Sequence, residues 1–190
     1  RFQIEIWLAQ ENLRAAMRWA DETLRHDFTG SSMETEDTWI AAARVLLARG
    51  DARSINRAQS LLERLAQAAT AAGRMGVQIE ALALLALAAW KRDQPADAMT
   101  ALERALNLAE PEGYIRLFAD LGFSMARLLQ EARARHIMPE YVATLLAAFG
   151  MGAAPGSAAD TGFPEPLTPR EQEILGLLAA GLTNREIAER

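Results

Sequence analysis

Two strings decide the fold, AQSLLER at residues 58–64 and AMTALER at residues 98–104. Ala58, Leu62, Glu63 and Arg64 of the first recur as Ala98, Leu102, Glu103 and Arg104 of the second, an offset of 40 residues. In both, the alanine and the leucine stand four apart and so share one helical face. The stripe continues through Leu61, Leu65, Ala66 and Ala69 around the first string and through Ala105 and Ala109 around the second. Ala16 is the candidate for the corresponding place one repeat earlier. Chance similarity among alanine-rich helices would produce part of this echo. Stacking explains more of it, because a lone hairpin of this composition cannot bury its apolar faces. The strings therefore predict helical hairpins stacked into a solenoid.

Composition agrees with helices throughout. Of 190 residues, 51% are apolar and 24% charged, which suits a globular chain and excludes disorder of the whole. Alanine is abundant and β-branched residues are sparse, so the expected fold class is all-α. The formal net charge of −5 opposes a broad electrostatic grip on nucleic acid. With no cysteine, disulfide and thiolate chemistry are excluded. The most apolar run, Ala81 to Trp90, is about half of what a bilayer crossing needs, and a cytoplasmic location is the default. The chain starts at Arg1 rather than Met and stops inside a predicted helix, so it reads as a fragment.

Taken in order, residues 2–25 are helical with a break at Glu11 and Asn12, and the Gly- and Ser-containing stretch 26–32 is a turn. A helix is predicted over 34–49, with Glu34, Glu36 and Asp37 in its first turn, where acids complement the helix dipole. Gly50 and Asp51 end it. Helices over 54–72, 77–92 and 96–109 follow, separated by a turn carrying Gly73 and Gly76 and a turn at Asp93, Gln94 and Pro95. The third of these four, 77–92, is apolar nearly all round and should be buried on several sides. Residues 112–121 and 124–135 continue as helices, and Pro139 opens a last one reaching Phe149. From 150 to 166 the sequence is rich in Gly, Ala, Ser and Pro without an apolar period, which reads as a flexible linker.

A period near 40 with one hairpin per period marks a solenoid of the tetratricopeptide kind, whose usual period is about 34. The segment ALERALNLAEPEGYIRLFADLG at 101–122 closely resembles the end of the tetratricopeptide-like domain in the large MalT-type branch of the LuxR family. WLAQENLRAAMRWADE at 7–22, ARVLLARG at 43–50 and the run 73–90 resemble it as well. The resemblance implies a sensor or interaction domain over 1–149. In that branch an ATPase module precedes the helical region, but no GxxxxGK[ST] occurs in this sequence, so ATP would belong to that module and no cofactor is expected here.

The final stretch, LTPREQEILGLLAAGLTNREIAER at 167–190, contains two capping boxes in succession. Thr168 and Glu171 start one helix around Pro169, Gly181 ends it, and Thr183 and Glu186 start the next. This string closely resembles the opening of the LuxR-type helix-turn-helix domain. The resemblance makes 167–190 an incomplete helix-turn-helix, since the family's next helix reads the bases. It also implies that Thr183, Asn184 and Arg185 meet the DNA backbone, where backbone N–H groups, a hydroxyl and a guanidinium suit a phosphate. Thr183 as a plain cap and Arg185 as a solvated side chain is the competing account.

No catalytic constellation and no metal motif is present: His26 and His136 stand apart, and Lys91 beside Arg92 suits a helix C-terminus. An enzyme is not expected. The reading is a piece of a DNA-binding transcriptional regulator whose solenoid takes a small inducer or a regulatory protein; the alternative is a protein-interaction scaffold without small-molecule sensing. Helices over 34–49 and 74–92 would line the concave face, with Trp39, Arg44, Arg74, Gln78 and Glu80 as the candidate effector or partner surface. Trp39 as core and the others as structural or solvated side chains is the plainer account of each. Self-association of the parent on promoter DNA is a further expectation.

Overall fold

The computed structural model describes residues 12–25 and 33–150. By backbone contacts the chain divides into two units, Arg1–Gly152 and Ala153–Arg190, and the described residues lie in the first. They form eight helices and, among them, no strand: α1 Leu13–Thr23, α2 Met33–Arg49, α3 Ala52–Ala71, α4 Met75–Lys91, α5 Pro95–Ala109, α6 Arg116–Ala119, α7 Gly122–Ala134 and α8 Pro139–Ala148. The all-α expectation is met.

Local chemistry sets the helix limits. Asn12 caps α1 by accepting from the Ala15 N–H at 3.3 Å, while the stretch expected to be helical before it lies outside the described residues. Gly50, with φ at 77°, ends α2, and Asp51 at once starts α3 by accepting from the Ser54 N–H at 3.0 Å and the Ser54 hydroxyl at 2.9 Å. Gly73 supplies the left-handed residue after α3, whereas Gly76 sits inside α4 rather than in the turn. Pro95 and Pro139 occupy first-turn positions of α5 and α8, where no N–H donor is needed.

One expected helix is mostly replaced by a turn. Residues 112–121 form only the single turn of α6, because Gly113 adopts φ 67° and the Tyr114 N–H closes back on the Ala109 carbonyl. That closure ends α5 and directs the chain across the face of α4.

Packing follows the repeat. Ala16, Ala58 and Ala98 are all fully buried, as are Ala20, Leu62 and Leu102 one turn on. Small residues at equivalent places let successive helices approach closely. α3 buries one stripe, while α4 buries Ile79 through Leu84 and Ala86 through Ala89 and packs against α2, α3, α5, α6 and α7. Direct packing runs from α2 to α4 to α6 and α7, but no comparable packing joins α3 to α5. The layer whose helices touch spans the shorter arc, so α2, α4 and the α6–α7 corner form the inner face of the stack.

Candidate effector surface

Two buried or half-buried ion pairs tie α2 to α4. At the first, the Arg74 guanidinium, just before α4, donates to Glu36 of α2 at 2.6 Å. Glu36 is fully buried. Its second carboxylate oxygen and the Arg74 Nε have no hydrogen-bond partner. At the second, Arg44 of α2 stands 4.0 Å from the Glu80 carboxylate of α4 and donates to the Asp120 backbone carbonyl at 2.7 Å. One guanidinium thereby links α2, α4 and the end of α6.

The inner face carries two hollows beside these links. One, of about 430 Å³, is lined by Asp37, Arg74, Gly76, Glu80, Tyr114 and Leu117, among others. Tyr114 approaches α4 at Gly76, where a Cβ would stand in ordinary contact, 3.5 Å from the tyrosine hydroxyl. Tyr114 is held by its own carbonyl, which accepts from the Tyr141 hydroxyl at 2.7 Å. Burial and the nearby Glu110 carboxylate push the Tyr141 phenol up to about 12. The other hollow, of about 240 Å³, has a floor of Leu47, Leu84, Leu87 and Leu121 with Arg44 and Lys91 at its edges.

Three of the five residues expected on this surface are brought together there, namely Arg44, Arg74 and Glu80. Trp39 is not, for it is 7% exposed and packs in the core. Gln78 is half-buried but lies two residues from Glu80, about 200° around the helix, and lines neither hollow. Glu36, expected only to complement the helix dipole, is instead the buried anchor of Arg74. The signal was present, since Glu36, Ile40, Ala43 and Leu47 share one stripe, and an acid on an apolar stripe demands a partner.

The family model described as "MalT-like TPR region" matches residues 1–135, and that described as "Bacterial regulatory proteins, luxR family" matches 165–190. The chain belongs to the MalT-type LuxR-family regulators. Curated relatives include the HTH-type transcriptional regulator MalT of Klebsiella pneumoniae subsp. pneumoniae, 26% identical over 99% of this chain, and that of Cronobacter sakazakii, also 26% identical over 99%. The chain spans 23% of the length of those relatives. No solved structure matches it.

Within this MalT-type chain, Thr183, Asn184 and Arg185 fall in the segment matched by the luxR model but outside the described residues, as do the expected linker beyond Gly150 and the segment 167–190. His26 also lies outside them, and His136 is exposed in the turn after α7 with φ 59°. Among the described residues no group of three or more His, Cys, Asp or Glu is placed to hold a metal ion, and no helix is long and apolar enough to cross a membrane.

Proposed function

We propose that this chain is the sensing region of a cytoplasmic, MalT-type transcriptional regulator, in which a small effector binds the inner face formed by α2, α4 and the α6–α7 corner. The observation that carries this reading is the position of Arg44. It joins two repeats and the corner through one guanidinium that lines the smaller hollow and stands 4.0 Å from Glu80 of the larger one, so a ligand seated in either would alter how the repeats stack. DNA binding is assigned to the luxR-type segment, with Thr183, Asn184 and Arg185 on the phosphate backbone and other parts of the whole protein reading the bases. No cofactor is assigned to the helical region; ATP chemistry, where the parent carries it, belongs to another module.

Thermal melting of the chain against a metabolite panel tests the reading, because a ligand that binds only the folded state raises its stability by mass action. A saturable upward shift with one compound class, lost in Glu80→Gln, is the expected result. The leucine floor between Arg44 and Lys91 favours a second reading, in which a regulatory protein occupies the same face. If no compound shifts the melt, while a protein binds in a manner sensitive to Leu87→Glu, the small-effector reading is lost and the protein reading stands.

A further inference from the structure

On the outer side of the stack, five arginines gather around two adjoining hollows. Arg14 and Arg18 of α1, Arg49 at the end of α2, and Arg53 and Arg57 of α3 are all exposed and come from three separate elements. The hollows, of about 360 and 440 Å³, share Met17 and Arg49. We propose that this surface binds a small organic polyanion bearing phosphate groups, at a site distinct from the inner face.

Charge is the first reason. Two aspartates line the cluster, Asp21 and Asp51, and each is engaged: Arg57 holds Asp21 at 2.8 Å and Arg49 holds Asp51 at 2.6 Å. Arg14, Arg18 and Arg53 have no carboxylate partner among the described residues. Among the described residues three positive charges are thus without a carboxylate, in a chain whose net charge is −5. The larger hollow has Arg14, Arg18 and Arg49 and no acid among its described lining residues.

Geometry is the second reason. Arg14 and Arg18 stand one helical turn apart on one hollow, as do Arg53 and Arg57 on the other, and Arg49 lines both, so forked guanidinium donors from three elements border two adjoining hollows. Such forks match phosphate oxygens two at a time. Leu13 and Met17 give the larger hollow an apolar floor, which suits an organic phosphate better than the bare ion. Both volumes fall in the range of about 300–1,000 Å³ usual for small-ligand sites. Asp51 already caps α3, so the anion would meet side chains and not the helix end.

Size follows from screening. Charges interact over about 8 Å at physiological salt, so a small anion senses the local excess. A duplex lying across the surface would also meet the acidic remainder of the chain.

Calorimetric titration of the 190-residue chain at low salt tests the site with pyrophosphate, phenyl phosphate, inorganic phosphate, a polyglutamate peptide and a short DNA duplex. Saturable binding of pyrophosphate is expected, with phenyl phosphate binding more tightly than inorganic phosphate. The combined Arg14→Gln, Arg18→Gln and Arg53→Gln variant should weaken pyrophosphate by at least about tenfold, since three charge-assisted pairs are lost. Its melting without ligand should be unchanged, and the single variants Arg14→Gln and Arg53→Gln serve if the triple does not fold. Absence of saturable binding, undiminished binding by the variants, or tighter binding of the duplex or the peptide than of pyrophosphate overturns the proposal. Glu80→Gln should leave pyrophosphate binding intact, so failure here and failure at the inner face are told apart.

Discussion

Glu36 shows how one side chain can fix a helix interface at a cost. It is withdrawn from water, and only one of its oxygens is matched. Removing Arg74 would leave a buried carboxylate alone, so Arg74→Met is expected to destabilise by about 3 kcal/mol in urea unfolding. Adding Glu36→Leu to that variant should restore much of the loss, because an apolar pair has no desolvation penalty. A restoration of nothing would mean that the guanidinium holds α2 and α4 together by other contacts. Tyr141 is sensitive to pH instead. Its phenol ionises near 10 when unfolded and is pushed up to about 12 in the fold, so its contribution is fully present below pH 10 and is lost as pH rises through that window. Unfolding free energies measured from pH 8 to 12 should therefore fall on the alkaline side, and Tyr141→Phe should flatten that fall.

At the scale of the element, α4 is the helix that both repeats need, and its weakest local choice is Gly76. A glycine within a helix is less favourable than alanine by about 0.5–1 kcal/mol. The added methyl would make ordinary contact with the Tyr114 hydroxyl, since the 3.5 Å separation requires no displacement. Gly76→Ala should thus raise the melting temperature while narrowing the 430 Å³ hollow, and an effector bound there should lose affinity in the more stable variant. Equal or improved affinity would place the effector elsewhere. The helices themselves are legible because the alanine and leucine of one stripe recur at 58 and 62 and at 98 and 102, and the all-round apolarity of 77–92 marks α4 as central. The short α6 was not, because Arg116 to Leu121 has helical composition and only the left-handed Gly113 and the closure onto Ala109 divert the chain. Arg44, Arg74 and Glu80 were legible as polar residues on the predicted inner helices. Trp39 and Gln78 were not separable from them, since residue type does not say which side of a helix faces its neighbour. The outer arginines are not legible as a group, because they are scattered along the sequence and only the fold assembles them.

For the molecule as a whole, a stack of hairpins should open from its ends, because each repeat is held by its neighbours. Amide exchange is expected to be slowest in α4, which packs against five other helices, and faster in α1. Uniform protection from α1 to α8 would instead indicate one all-or-none unit. The link between Arg44 and Asp120 joins positions 76 residues apart through a side chain on one side and main chain on the other. Any amino acid at 120 offers the same carbonyl, so that position is free to vary without breaking the link, whereas position 44 is not. Drift in related chains would then be lopsided, and a search for paired changes between the two sites would pass over a contact that helps set the curvature of the stack.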